Sequence, residues 1–238
     1  MSAQAEGVVK LAPSDFGFLF DECQRCFWLK AKGVLRRPSA PFPKVFGKLD
    51  LATKDFYLSK RTDEMSVLLR PGRVIMGDRT VRSAPLRIPG HRTEVILQGR
   101  IDTALAFDDG THGVIDFKTS EPKPEHVLFY GRQLHAYATA LEHPGPGAIE
   151  LPSISTLGLI CIEPQAMVAL GDGVAYAGTS TFLEIPRDDD AFTAFLLQVL
   201  LVLEQPEPPA AAPRCSFCQY GTQAGLMSLT GMYGSGLT

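Results

Sequence analysis

Apolar positions along the chain change their spacing several times, and each change marks an element. Between residues 16 and 32 they recur at helical spacing, with Ser14 after Pro13 as the N-cap and Gly33 as the stop. Residues 34–46 are proline-rich and read as a loop, and a second helix is predicted over 48–59. Short apolar runs at 67–69 and 74–76 flank Pro71-Gly72, which predicts two strands around a turn. The strongest local signal follows: residues 94–107 are rich in β-branched and apolar side chains, Asp109-Gly110 marks a tight turn, and 113–119 form a second strand. Pro124 opens a helix over 125–141. Strands are predicted at 155–162, 166–170 and 180–185. The acids Asp188 to Asp190 then lead into an apolar helix ending near Leu203. Residues 205–213 form a proline and alanine linker, and the stretch after Gly225 reads as loosely ordered. No internal repeat interrupts this order, so the 238 residues are expected to form a single domain.

Composition narrows the setting. Hydrophobic residues make up 45% of the chain, enough for a substantial core. The apolar run at 191–203 is too short and interrupted to span a bilayer, and the polar N-terminus has no signal-like apolar segment. No membrane partner is therefore expected, and the cytoplasm is the expected location. The formal net charge is −3, but it is unevenly spread. Residues 1–132 hold 21 of the 23 Lys and Arg against 16 acids, whereas 133–238 hold 2 against 10. One cationic face for phosphates beside one acidic face fits this split, and so does a solvated surface with no partner.

The hairpin carries the chemistry. Asp102 and Asp116 are equidistant from Asp109, so they should lie opposite each other on one face, with Cβ atoms about 5 Å apart. Two carboxylates that close repel and call for a cation between them. Lys118, two residues past Asp116, shares that face. A magnesium or manganese ion could sit between the aspartates, with Lys118 orienting or deprotonating a bound water. On the next helix Gln133 and Tyr137 are spaced i, i+4 and share one face, where they could meet a phosphate backbone or a base edge. His112, His126 and His135 read as structural, and Cys161 as core packing. An Asp-x-Lys tripeptide alone would be ordinary strand surface; its register with Gly99-Arg100-Ile101-Asp102 is what makes it informative.

These elements together resemble the PD-(D/E)XK nuclease superfamily, and within it the RecB-like branch that includes CRISPR-associated exonucleases with cysteine-ligated clusters. The resemblance implies an α/β (α+β) restriction-endonuclease-like core, a central mixed sheet flanked by helices in the order αβββαβ. It implies that Asp102 and Asp116 bind the metal with the carbonyl of Phe117, that Lys118 assists the attacking water, and that Gln133 and Tyr137 position DNA or support the site. RecB-like nucleases often place a metal-binding histidine after a glycine on an early helix. The corresponding stretch here is Gly47-Lys48-Leu49-Asp50, so Asp50 takes that place, with Glu22 as a weaker candidate.

Five cysteines complete the picture, four of them in two pairs, Cys23-x-x-Cys26 and Cys215-x-x-Cys218. In a cytosolic chain such spacing argues for metal rather than disulfides, either one tetrahedral zinc or one [4Fe–4S] cluster. Either would clip the C-terminal segment to the first helix. The iron–sulfur nucleases the chain resembles use one N-terminal and three C-terminal cysteines, whereas this chain has two and two; the resemblance implies [4Fe–4S], with zinc as the alternative. The expected function is metal-dependent hydrolysis of DNA, by an exonuclease acting on single strands or ends. A non-catalytic, metal-clipped nucleic-acid-binding module is the alternative, and a purely structural protein is a third. A helicase or CRISPR-adaptation partner follows from analogy alone.

Overall fold

The structure is a computed structural model and describes residues 7–39, 41 and 43–229. The chain opens with β1 (Val8–Leu11), a π-helical segment (Phe16–Asp21), α1 (Gln24–Ala31), α2 (Lys44–Tyr57) and the one-turn α3 (Thr62–Met65). It continues through β2 (Gly72–Arg82), β3 (Glu94–Phe107), β4 (His112–Lys118), α4 (Pro124–Glu142), β5 (Ile154–Leu170) and β6 (Gly173–Ile185). It closes with α5 (Asp189–Leu203) and α6 (Ser216–Leu229). Apart from the one-turn α3, the run from α2 to β5 is helix, three strands, helix, strand, which is the expected αβββαβ order.

The sheet is mixed. β2, β3 and β4 pair antiparallel in turn, α4 returns the chain so that β5 lies parallel to β4, and β6 folds back antiparallel on β5. One edge of β3 is shared: β1 runs parallel beside residues 94–97, and β2 covers 98–107. Side chains alternate between two apolar layers, as the two-residue strand period requires. Ala104, Val114 and Leu159 point into a layer built with α1, α4 and α5. Their neighbours Leu105, Ile115 and Ile160 point into a second layer with Tyr57 and Met65. Burial on both faces is what fixes β4 at the centre.

The ends of α4 and α5 are locked together. Asp188 caps α5 by accepting from the Ala191 N–H at 2.8 Å, with Asp189 and Asp190 in the first turn. His135, buried on α4, bonds the Gly131 carbonyl through Nδ1 and accepts the Asp188 N–H at Nε2, at 2.7 and 2.8 Å. Arg187 pairs with Glu142 at 2.6 Å. These bonds hold α4, and with it Gln133 and Tyr137, in place over the sheet.

Several elements differ from the sequence reading, which also has no counterpart for β1 or α6. The helix expected over 16–32 is broken, because Cys23 adopts an extended backbone (φ −162°) and α1 restarts after it. The helix expected at 48–59 begins a turn earlier, behind Pro43. No strand forms at 67–69: Val67 and Leu68 stand in solvent and the Leu69 N–H closes a turn onto Ser66. The strands expected at 155–162 and 166–170 are one continuous strand, with an irregularity between Pro164 and Ala166. The segment after Gly225 remains helical to Leu229; the remainder of that expectation, 230–238, lies outside the described residues.

Candidate active site

The hairpin of β3 and β4 has the register expected from its turn. Thr103 pairs Ile115 and Ala104 pairs Val114, so the next step sets Asp102 opposite Asp116. The Phe117 N–H donates to Asp102 Oδ2 at 2.9 Å and ties the two strands beyond their last ladder pair. From α4, Gln133 Nε2 donates to Asp116 Oδ1 at 3.1 Å. Lys118 Nζ lies 2.5 Å from Asp116 Oδ2 and 4.0 Å from the centre of the Tyr130 ring. Tyr137 makes no hydrogen bond to the carboxylates; its hydroxyl donates to the Arg100 carbonyl at 3.0 Å, two residues before Asp102. Gly99 makes room for it, since a Cβ there would stand 2.9 Å from Tyr137 Cε1.

Burial dominates the electrostatics. It pushes the Asp116 carboxyl up to about 7; Lys118 pulls it down, and the Asp102 charge pushes it further up. Burial lowers the Lys118 ammonium, but the Asp116 charge outweighs this and leaves it above its usual range. Burial and the two carboxylates together raise the Tyr137 phenol, so it stays protonated and keeps its proton for the Arg100 carbonyl.

A second lysine, not singled out in the sequence, meets Asp102. Lys54 of α2 places Nζ 2.8 Å from Asp102 Oδ1 and 2.7 Å from Asp50 Oδ2, with Asp78 Oδ1 at 3.8 Å. Its side chain is only 9% exposed. Asp50 and Lys54 are spaced i, i+4 on a helix face, which is a signal the sequence does carry. Asp78 carries none: it sits between the partners of Ile101 and Thr103 on β2, in a left-handed conformation (φ 53°), and Arg100 grips it. The ring of Tyr57 stacks on Phe117 at 5.6 Å and 11°, clamping α2 against β4. Glu22 stands apart: it pairs with Arg37 at 2.7 Å, beside the cysteines.

The donor set suits a hard divalent cation. Every charged donor is a carboxylate oxygen, and Asp116 Oδ2 is buried with an ion pair to Lys118 but no hydrogen bond. A cation at Asp102 and Asp50 would have to displace the Lys54 ammonium from both.

The four paired cysteines converge from opposite ends of the chain. Cys23 and Cys26 lie at the start of α1, and Cys215 and Cys218 at the start of α6. The sulfurs of Cys23 and Cys218 are 3.8 Å apart, and that of Cys26 is 3.6 Å from both Cys215 and Cys218. All four lie within 4.8 Å of one another, and none is in a disulfide. A tetrahedron of sulfurs about 2.3 Å from one zinc has edges of about 3.8 Å, close to the three contacts of 3.6–3.8 Å here. A cubane cluster sets each thiolate on a different iron and needs a wider quartet. Cys161 packs in the core. His112 bonds the Pro152 carbonyl and His126 rests against Tyr130, so no histidine joins either cluster among the described residues.

In comparisons with known proteins, the family model of the PD-(D/E)XK nuclease superfamily matches residues 11–223, a span that includes the hairpin and both cysteine pairs. A crystal structure of SSO0001 is similar over 93% of this chain and 87% of that one, at 14% identity and a TM-score of 0.49. No curated protein matches.

Proposed function

This chain belongs to the PD-(D/E)XK nuclease superfamily, and we propose that within it the chain is a deoxyribonuclease acting on single-stranded DNA or DNA ends, as an exonuclease. The observation that carries this reading is the convergence of Asp102, Asp116 and Lys118 on one buried point, with Gln133 fixing Asp116 from α4. An acid pushed up to about 7 beside a second acid gains most from a bound cation.

Asp102, Asp116, Asp50 and the Phe117 carbonyl would hold magnesium or manganese. Such an ion, when bound, supplies Lewis-acid stabilisation of the phosphoryl oxygens and an acidified water. Lys118, held against Asp116, would orient the attacking water or meet the phosphate. Gln133 keeps Asp116 from rotating, and Tyr137 buttresses the strand carrying Asp102 through the Arg100 carbonyl. The cysteine quartet would clip α6 to α1, making 1–238 one working unit. Its 3.6–3.8 Å contacts favour a single zinc over the [4Fe–4S] cluster that the sequence resemblance suggested.

The test is cleavage of labelled single-stranded DNA, duplex DNA and RNA by anaerobically purified protein, with magnesium or manganese, beside Lys118→Ala. Metal-dependent cleavage of DNA that the variant loses supports the proposal, and shortening from one end identifies an exonuclease. Folded protein with its cysteine site filled that cuts nothing would leave the non-catalytic binding module. One observation favours that second reading: Lys54 already neutralises Asp102 and Asp50.

A further inference from the structure

The proline-rich loop between α1 and α2 folds back on α1 at its start, where the N–H groups of Val34 and Leu35 donate to the Leu29 carbonyl at 2.9 and 3.2 Å. From there to Pro43, Arg37 is the only described residue that hydrogen-bonds outside the loop and α2. Val34, Leu35 and Arg36 stand in solvent, whereas the Arg37 side chain is only 14% exposed.

That side chain turns inward onto the cysteine quartet. Nη1 donates to Glu22 Oε2 at 2.7 Å, and Nη2 donates to Cys215 Sγ at 3.4 Å. The guanidinium carbon lies 4.6 Å from the centre of the Phe217 ring. Glu22 directly precedes Cys23, and Phe217 lies between Cys215 and Cys218, so one arginine joins the segments of both pairs. Among the described residues no other charged side chain hydrogen-bonds a cysteine sulfur. Arg25, also beside the quartet, donates instead to the Pro209 carbonyl at 3.1 Å.

The contact has a chemical reason once the quartet is filled. Four thiolates around one divalent ion leave two negative charges, and a partly buried anion calls for a cation beside it. A guanidinium stays charged and can bond a carboxylate and a sulfur at once through its fork. Its position also matters to the acidic site. Tyr57 is the only buried residue of α2, and Val45 and Phe46 at its start are exposed. The far end of α2 is held by Lys54 on Asp102 and by Tyr57 on Phe117. The near end continues the loop that Arg37 fastens, and Asp50 lies between the two holds.

We propose that Arg37 is the counter-cation of the filled cysteine quartet, and that through it the quartet anchors the loop delivering α2 and Asp50 to the active site. The inference rests on reading the quartet as a metal centre and gives that centre a part in placing Asp50. Arg37 is a positioning residue: it touches a ligand of the ion, not the ion or the substrate. Protonated thiols of an empty quartet carry no charge, so removing the ion loosens the same tether.

The experiment uses full-length protein loaded with zinc, and with cobalt as a spectroscopic stand-in. In chelator competition Arg37→Met should bind zinc about 10–100-fold more weakly than wild type, the usual cost of losing the partner of a metal ligand. Arg37→Lys, which keeps the charge without the fork, should keep part of that affinity, and Arg36→Met should bind as wild type. In the cobalt form the sulfur-to-metal charge-transfer band should move to longer wavelength in Arg37→Met, because a thiolate loses its N–H donor; loss of packing alone would not move it. Hydrogen exchange in the loop and the first half of α2 should quicken in Arg37→Met and on zinc removal alike, while β3 and β4 stay protected. Unchanged affinity and band in Arg37→Met overturn the pairing. Weaker zinc binding with unchanged exchange in α2 overturns the tether. Purified protein that holds neither zinc nor iron overturns the metal centre and this inference with it, and DNA cleavage by that protein would leave the nuclease reading standing.

Discussion

Lys54 Nζ sits 2.8 Å from Oδ1 of Asp102, so an acid proposed to bind metal already faces a cation. The same ammonium is 2.7 Å from Asp50, and burial opposes its charge while the two carboxylates raise its pKa above the usual lysine range. A divalent cation must compete with it. Lys54→Met should therefore lower the stability of the metal-free protein, since Asp50 and Asp102 lose their counter-charge. It should also tighten magnesium binding about tenfold, equivalent to ~1.4 kcal/mol. Thermal melts with and without magnesium check both: the metal-induced rise should be larger in the variant. An equal rise in both proteins would mean that Lys54 and the metal do not share the site.

Lys118 lies between Asp116 and the face of Tyr130. In the proposed reaction Lys118→Ala should lower kcat by ~10²–10⁴-fold with little change in KM, the range for losing a positioned proton donor. Lys118→Arg should not restore the rate, because a planar fork does not replace a compact ammonium in that slot. Single-turnover cleavage of a labelled strand separates this from a binding defect.

Gly99 has no room for a side chain. A Cβ would lie 2.8 Å from Pro13 Cδ and 2.9 Å from Tyr137 Cε1, closer than packed carbons tolerate. Gly99→Ala should cost about 1–3 kcal/mol in urea unfolding. It should also slow cleavage, because Tyr137 would leave the Arg100 carbonyl. Tyr137→Phe keeps the ring and loses only that hydrogen bond, so its cost should be near 1 kcal/mol. Gly99→Ala protein as stable as wild type would show that Pro13 or Tyr137 gives way freely.

The legible part of this site was its local part. Asp102 and Asp116 could be set opposite each other by counting from one turn, and Gln133 and Lys118 follow from strand and helix periods. The αβββαβ order was legible for the same reason, since each element declares its own period. Asp78 was missed because nothing local marks it, and Lys54, although spaced i, i+4 from Asp50, meets Asp102 and Asp78 only after α2 and β2 assemble on β3. Tyr137 shares the Gln133 face as expected, and the partner it takes, the Arg100 carbonyl two positions before Asp102, is one that helix spacing cannot resolve. The break at Cys23 was hidden too, because an apolar stripe looks the same across a π-helical segment and an α-helix.

The cysteine quartet joins chain ends, and the single tryptophan reports on it. Trp28, two residues after Cys26, donates from Nε1 to the Gln205 carbonyl at 3.3 Å, where α5 leads toward Cys215. Cys26→Ser or removal of the ion should free α6, shift the Trp28 emission to the red and lower Tm. Elemental analysis should find one zinc and no iron per chain, consistent with the 3.6 Å sulfur contacts. Four irons per chain and visible absorption would show instead that the quartet opens to take a cluster.

Glu204 closes the loop between β2 and β3 onto the end of α5. Its carboxylate accepts the backbone N–H groups of Arg92 and Thr93 at 2.8 Å each and faces His91 Nδ1 at 3.1 Å. Burial pushes its pKa up, but the bonds from Thr93, His91 and Arg92 outweigh burial and hold it below the usual 4.5. A carboxyl depressed by folding adds stability that is fully present above its unfolded pKa and is lost as pH falls through the lower folded value. Glu204→Gln should therefore be less stable than wild type at pH 7 by about 2 kcal/mol, the scale of hydrogen bonds to a charged acceptor. That gap should shrink as pH drops below the usual 4.5, because wild-type Glu204 then protonates. Urea unfolding of both proteins at neutral and acid pH measures it. A gap that persists undiminished in acid would mean that Glu204 holds the loop by shape and neutral hydrogen bonds, not by its charge.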